Sequence, residues 1–174
     1  AVSLFGIPYD VRPLKEIAAQ KKILMVEDAA SAMGSSIDGR LTGTIGDVGV
    51  ISFQDTKPLS AQTGGAILTN DDALAQKIHQ VLQNIQTQKQ IWKVYLSAVF
   101  QKFATRRWLY PITRSVHSIL VGEKMYEIVP PPTRPEKGYF SRCSPFSVEL
   151  IRKQWAMFGQ NISRRRKIAG EYRK

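Results

Sequence analysis

The sequence has few of the residues that build disulfide-stapled folds, metal centres and membrane spans. Its one cysteine, Cys143, cannot form an internal disulfide, which is consistent with a reducing compartment. The two histidines, His79 and His117, lie far apart and without a neighbouring carboxylate motif, so neither a zinc pair nor a Ser/His/Asp set is supported. No uncharged apolar run reaches the roughly eighteen residues of a membrane-spanning helix. Because a signal-peptide pattern is absent as well, the expected location is the cytoplasm.

Two common nucleotide-binding motifs are also missing. The sequence contains neither the GxxxxGK[ST] phosphate loop nor the GxGxxG fingerprint of dinucleotide-binding folds. These absences argue against a kinase-like or dinucleotide-binding function for this chain.

Positive charge is plentiful but unevenly distributed. The net charge is +11, and residues 1–85 hold 7 Lys and Arg against 9 Asp and Glu, whereas residues 86–174 hold 18 against 5. A basic second half can meet phosphates, an anionic membrane surface or an acidic partner, or it can be a solvated helix face. Nucleic-acid binding is the weakest of these hypotheses because no recognition motif accompanies the charge.

The first half alternates strand and helix patterns. Apolar and turn residues predict a strand, a helix, a continuous apolar strand, a glycine-rich loop, two further strands and a helix capped by Asn70 or Asp71. Alternation of this kind indicates an α/β sheet, and the continuous apolar strand is expected to be buried on both faces. The corresponding segments are VSLFG, VRPLKEIAAQKK, ILMVED, Gly34 to Gly46, DVGVISF, GGAILTN and DDALAQKIHQVLQN.

The second half has a different character. An aromatic stripe from Trp92 to Phe103, followed by Pro111, predicts two helices or one kinked helix. The stripe is typical of a core or dimer face, although interspersed Lys and Arg keep a membrane-surface face open. A Pro-rich connector at 128–140 precedes a helical stretch at 141–174, in which Gly159 marks a turn or kink.

Asp28 and Lys57 are the side chains best placed for chemistry. A carboxylate that ends a buried parallel strand lies where α/β sheets collect ligand contacts, and it should have a cationic partner. A lysine beyond the next strand can be a Schiff-base nucleophile when an apolar setting lowers its pKa. Alternatively, Asp28 caps a helix that starts at AASAMG, and Lys57 is a solvated loop lysine. Spacing alone does not decide between these readings.

The full string VEDAASAMGSSIDGRLTGTIGDVGVISFQDTKPLSAQTGGAILTND resembles the DegT/StrS-type family of pyridoxal-phosphate-dependent sugar aminotransferases, a branch of the fold-type I superfamily. The resemblance is close over residues 2 to 84 and looser beyond. It implies the aspartate-aminotransferase-like α/β fold, with a mostly parallel mixed sheet. The matching residues are Glu27, Asp28, Ala30, Gly34, Gly43, Gly46, Asp47, Gly49, Ser52, Phe53, Lys57, Gly64, Gly65, Thr69 and Asn70.

The resemblance implies roles for four of these residues. Lys57 would be the catalytic residue, joining the aldehyde of pyridoxal 5′-phosphate as a Schiff base and then moving the proton between substrate and cofactor. Asp28 would pair with the pyridinium nitrogen. Ser52 would donate to the cofactor phosphate, and Ala30 would lie beside the ring.

Some positions depart from the family pattern. Ser31 stands where many members carry a longer Gln that contacts the cofactor near its hydroxyl, so the resemblance implies that the shorter Ser31 is a cofactor-binding residue with a weaker contact. Thr63 stands where an acidic residue is common, and QNIQ replaces RNHG, of which Asn84 remains. The resemblance implies that Asn84 contacts the cofactor phosphate of a partner subunit in a homodimer.

The resemblance also implies a domain organisation and an activity. Residues 1–85 would form part of the cofactor-binding large domain, 86–127 a helical insertion, 128–140 the connector and 141–174 the entry to a small domain, so that the chain is a fragment and inactive alone. The expected reaction transfers an amino group, with glutamate as donor, to a nucleotide-linked keto sugar for a surface polysaccharide or secondary metabolite. The alternative hypothesis is an inactive relative, or a membrane-surface component of polysaccharide assembly.

Overall fold

The computed structural model describes residues 1–87, 91–121 and 141–172, with some side chains of the third and fourth helices left out. In the first half five strands lie between two helices, so the alternation that the sequence pattern predicts is not strict, and the elements assigned among the described residues after it are all helices. The elements in chain order are α1 Arg12–Lys21, β1 Val26–Asp28, β2 Ser36–Ile37, β3 Arg40–Leu41, β4 Val48–Ser52, β5 Gly65–Leu68, α2 Asp72–Gln83, α3 Ile91–Ala104, α4 Tyr110–Val121, α5 Pro145–Trp155 and α6 Phe158–Glu171.

A three-stranded mixed sheet in the order β1-β4-β5 forms the centre. β4 runs parallel to β1, with Asp28 opposite Val50, and antiparallel to β5, with Ser52 opposite Gly65. Val2 adds an isolated parallel bridge to Asp28 in place of the predicted first strand. The α/β class is therefore confirmed, and the described sheet divides equally between one parallel and one antiparallel pair.

The main core cluster lies between α1 and the β1 side of the sheet. It contains Val11, Ala18, Met25 and Ile45, each of them buried. The expectation that β1 is buried on both faces is wrong for this chain. Val26 is 48% exposed, and Leu24 just before the strand is 66% exposed, because no other described element covers that face.

The glycine-rich segment predicted as loop contains a short hairpin. β2 pairs antiparallel with β3 through a two-residue turn at Asp38 and Gly39, whose φ angles are 49° and 79°. Positive φ at both central residues defines the turn type that matches strand twist, and Asp-Gly is its preferred sequence. The dipeptide was thus an available signal for this hairpin.

In the second half, the boundaries between helices fall close to the predicted positions. The aromatic stretch forms two helices, α3 and α4. Pro111 lies in the first turn of α4 and does not interrupt a helix. Proline is tolerated there because the first helical N–H groups have no intrahelical acceptor. The break between α5 and α6 falls at Ala156 and Met157, so Gly159 lies inside α6. The predicted connector at 128–140 lies outside the described residues.

The described side chains in the aromatic stripe of α3 are not buried in a core formed by the described residues. Tyr95, Leu96, Phe100 and Phe103 are each at least half exposed. Tyr95 packs edge-to-face against Phe146 of α5, with ring centroids 5.8 Å apart. Among the described residues the stripe is therefore an exposed face, and the dimer-face and membrane-surface interpretations stay predictions.

Candidate functional site

The parallel pairing of β1 with β4 brings the ends of both strands to one edge of the sheet. Asp28 ends β1, Ser52 ends β4, and the segment after β4 carries Lys57. The amide of Ala29 continues the ladder by donating to the carbonyl of Val50, 2.9 Å away. Ligand contacts in α/β sheets collect at such an edge because the chain leaves the sheet there and opens a crevice.

Lys57 meets the segment that follows β1. Its Nζ donates to the hydroxyl of Ser31 over 3.3 Å, and its side chain is half-buried. Ala30, Ser31 and Lys57 line one cavity of about 580 Å³, a size typical of small-molecule sites. Lys57 is therefore not a fully solvated loop lysine, and Ser31 contacts it directly.

Asp28 lies just before the cavity wall and is exposed. Its Oδ1 accepts a hydrogen bond from the amide of Ala30, 3.0 Å away, which shapes the turn at residues 30–34. Among the described residues, the ion pairs do not include Asp28, so the expected cationic partner is not found there. The alternative prediction, that Asp28 caps a helix, holds only in part, because the carboxylate caps a turn and not a helix.

Like Asp28, two further predicted residues, Ser52 and Asn84, do not line this cavity. The hydroxyl of Ser52 accepts from the amide of Gln54 at 3.3 Å, within its own chain turn. Asn84 is the C-cap of α2, and its side-chain amide donates to the carbonyl of Gln80 at 3.3 Å. The structure thus brings together Ala30, Ser31 and Lys57, with Asp28 adjacent in sequence, and places Asn84 elsewhere.

Glu27 has a structural function that the sequence analysis did not assign. Its side chain is 3% exposed, and its carboxylate accepts from the amides of Gly43 at 3.0 Å, Ile45 at 2.6 Å and Gly46. Three backbone donors replace the water that a buried carboxylate loses. The bonds hold the 43–46 loop against β1. A charged residue inside an apolar strand was the signal that could have revealed this function.

The last two helices fix the segment that carries Lys57. The side-chain amide of Gln154 on α5 donates to the carbonyl of Ser60 at 2.7 Å and accepts from the amide of Ser60 at 3.1 Å. On α6, Asn161 donates to the carbonyl of Pro58 at 3.0 Å. Leu59 between these contacts is 1% exposed. Residues far away in sequence therefore determine the backbone path just after Lys57.

Two negative findings concern only the part of the chain that the structure describes. No group of three or more His, Cys, Asp or Glu side chains is arranged to hold a metal ion there. Among the helices of the same residues, none has the length and apolarity needed to traverse a bilayer.

The fold and the site define an α/β protein with a lysine beyond a strand end, facing a cavity beside a small-residue turn. The model of the DegT/DnrJ/EryC1/StrS aminotransferase family matches residues 1–174. The chain belongs to this family, and the resemblance drawn from its motifs is confirmed.

Relatives with assigned names match about half of the chain. The chain is 34% identical over 92 residues to a GDP-perosamine synthase of Escherichia coli O157:H7, covering 52% of this chain and 25% of the relative. It is 42% identical over 81 residues to dTDP-3-amino-3,4,6-trideoxy-alpha-D-glucose transaminase of Micromonospora megalomicea subsp. nigra, covering 46% and 22%. The match thus spans about a quarter of the length of these relatives.

A solved structure matches almost the whole chain. It is an E. coli GDP-4-keto-6-deoxy-D-mannose-3-dehydratase with bound hydrated PLP, with 21% identity, a TM-score of 0.59 and coverage of 97% of this chain and 38% of that one. At this level of identity the likeness confirms the fold, the aspartate-aminotransferase-like α/β architecture expected from the sequence.

Proposed function

We propose that the protein containing this chain is a pyridoxal-phosphate-dependent aminotransferase that acts on a nucleotide-linked keto sugar. The single observation that carries the proposal is the contact of Lys57 with Ser31 in a cavity at the strand-end edge. Family membership and relatives named as GDP-sugar and dTDP-sugar enzymes support it. Glutamate as donor, a homodimer, a cytoplasmic location and a role in polysaccharide or metabolite biosynthesis stay predictions.

The residues present fit the cofactor. Pyridoxal phosphate supplies an electron sink and an aldehyde carbon that primary amines attack. Lys57 offers such an amine in a cavity of about 580 Å³, and the described residues lining that cavity include no carboxylate that would hold the amine in an ion pair. The small side chain of Ala30 leaves room beside it.

The residues of the site would bind the cofactor and orient it. Lys57 would carry the cofactor and, once released from it, would accept and return a proton at its Nζ. Ser31 holds that Nζ at 3.3 Å, which limits the directions that the amine can take. Asp28 would supply negative charge for the ring nitrogen, and Ser52 a hydroxyl donor for the phosphate. A contact of Asn84 with the partner subunit's cofactor belongs to the same proposal.

Reductive trapping tests the proposal. The protein incubated with pyridoxal phosphate should become yellow, and borohydride should fix one cofactor on the peptide that contains Lys57. Lys57→Ala should remove the label, whereas Lys77→Ala, which changes an exposed lysine on α2, should not. Labelling that persists in Lys57→Ala would overturn the assignment.

A second candidate function rests on the exposed face of α3 and the segment up to α4. Phe100 is 66% exposed and lies two positions before Lys102, and Trp108 is 68% exposed and follows Arg107 directly. Aromatic and basic side chains that lie together favour binding to the surface of an anionic membrane. We propose peripheral contact there, as in a membrane-surface component of polysaccharide assembly. Flotation with anionic vesicles tests it: the protein should float, and it should not float with neutral vesicles or after Trp108→Ala combined with Phe100→Ala.

A further inference from the structure

One face of α6 forms a wall of the Lys57 cavity. Ile162, Arg165, Arg166 and Ala169 line it, at positions i, i+3, i+4 and i+7 of the helix. This spacing places the four side chains on one face, because an α-helix has about 3.6 residues per turn. Arg164 and Lys167 belong to the opposite face and do not line the cavity.

The cavity is strongly cationic. Lys57 approaches from the segment after β4, and the two arginines approach from α6, about a hundred residues later in the chain. None of the described residues that line the cavity is an Asp or Glu. The ion pairs found among the described residues involve none of these three cations. Three positive charges from two segments therefore face one space without an acidic neighbour in its wall.

Both guanidinium groups are held by the protein and still have free donors. Arg166 donates through Nη2 to the carbonyl of Gly34, 2.9 Å away. Arg165 donates through Nε to Oδ1 of Asn161, 3.0 Å away. A guanidinium has five N–H donors, so most donors of each group remain for a ligand. The carbonyl and amide partners fix the groups without neutralising them, which is how a phosphate site is preorganised.

We propose that Arg165 and Arg166, together with Lys57, form a binding site for a phosphate or phosphoanhydride group in this cavity. The proposal rests on the proposed function, which it deepens by locating an anion subsite on α6. Planar guanidinium groups bind phosphate oxygens through paired, charge-assisted hydrogen bonds. Two sources share this chemistry: the phosphate of the cofactor and the diphosphate of a nucleotide-linked substrate.

Titration with inorganic pyrophosphate tests the site without any catalytic step. Isothermal titration calorimetry at low salt, where exposed charges are least screened, should detect binding to the protein. Arg165→Gln and Arg166→Gln should each weaken binding about tenfold, because charge-assisted hydrogen bonds are lost. The matched control Arg164→Gln removes the same charge from the opposite face and should leave binding unchanged.

A conservative variant checks the site, and trapping of the cofactor identifies the source of the phosphate. Arg166→Lys should restore part of the affinity, and circular dichroism identical to that of the unchanged protein excludes unfolding as the cause of a loss. If the site holds the cofactor phosphate, pyrophosphate should slow borohydride trapping of pyridoxal phosphate on Lys57 and not of pyridoxal. If it holds the substrate diphosphate, pyrophosphate should leave the trapping unaffected. Uridine diphosphate should then bind the cofactor-loaded arginine variants more weakly than it binds the cofactor-loaded unchanged protein.

Failure of the site and failure of the proposed function give different results. Absence of pyrophosphate binding to the unchanged protein, or equal weakening by Arg164→Gln, would overturn the anion site while trapping on Lys57 could still succeed. Arginine-dependent pyrophosphate binding without trapping on Lys57 would support the anion site and overturn the cofactor assignment.

Discussion

At the scale of single residues, a buried carboxylate needs donors in place of the water it has lost. Glu27 points to the buried side of β1, and three backbone amides of the 43–46 loop supply those donors. Asp28, its neighbour, points to the other side, where it is exposed and shapes the turn before Ser31. The two neighbouring acidic residues therefore lie on opposite faces of the strand, where Glu27 holds a loop and Asp28 lies beside the candidate site.

Glu27→Gln should destabilise the protein by about 2 to 3 kcal/mol, since hydrogen bonds to a charged acceptor are stronger than neutral ones and the new amide places donors against donors. Urea unfolding followed by circular dichroism measures this change. Glu16→Gln, on an exposed position of α1, is the matched control and should change stability by less than about 0.5 kcal/mol. A loss for Glu27→Gln no larger than that of the control would contradict the assigned function.

The sequence was sufficient to place Lys57 beyond β4 and Asp28 at the end of β1, because fixed spacing after a strand determines where a side chain leaves the sheet. It did not predict that Ser31 contacts Lys57, because the contact depends on how the turn at residues 30–34 folds back. The roles of Ser52 and Asn84 toward a cofactor stay predictions.

At the scale of secondary-structure elements, β1 and β4 are held together by a loop that passes very close to the sheet. A β-carbon added to Gly49 would overlap the carbonyl of Gly43 and lie 2.8 Å from its Cα. Gly159, by contrast, lies in the first turn of α6 with no atom within 4 Å of such a carbon. The backbone therefore excludes a side chain at Gly49, whereas a side chain at Gly159 would meet open space.

Gly49→Ala should destabilise the protein by about 3 kcal/mol or more, because backbone and not a flexible side chain must move. Gly159→Ala should instead stabilise it by about 0.5 to 1 kcal/mol, because alanine restricts the unfolded chain and favours helix. Thermal unfolding of both variants beside the unchanged protein checks the opposite signs. A stability for Gly49→Ala equal to that of the unchanged protein would show that the 43–46 loop does not pass so close to β4.

Local signals account for most of the elements. Asp71 was one of two predicted caps of α2, and its side chain accepts from the amide of Leu74 at 2.9 Å. The hairpin of β2 and β3 was missed because strands of two residues carry no periodicity, although the Asp38-Gly39 turn was readable. The exposure of Val26 was not predicted because an apolar run reports a tendency to be buried, and not whether a covering element is within the chain.

At the scale of the whole molecule, the candidate site is assembled from segments in both halves of the chain. The segment after β4 presents Lys57, and α5 and α6 hold that segment through Gln154 and Asn161, 94 and 103 residues away from their partners. Contacts of such separation have no signature in local sequence patterns, which explains why the sequence identified the lysine but not what supports it. The same packing brings Arg165 and Arg166 to the cavity.

Loss of the Gln154 side chain should therefore loosen the Lys57 segment locally. Gln154→Ala removes both hydrogen bonds to the backbone of Ser60, so the amide of Ser60 should exchange its hydrogen about tenfold faster, the change expected when roughly 1.4 kcal/mol of protection is lost. The amide of Ala61, which donates to the carbonyl of Phe53 at 2.8 Å, is the internal reference and should exchange at its original rate.

Gln160→Ala, an exposed glutamine on α6, is the matched variant and should leave both amides unchanged. Hydrogen exchange followed by nuclear magnetic resonance resolves the two neighbouring amides. Equal acceleration at Ser60 and Ala61 would mean that the whole segment unfolds with α5, because loss of one clamp would then release more than its own hydrogen bonds. An unchanged Ser60 amide would refute the clamp, and α5 would then be only a neighbour of the Lys57 segment and not its support.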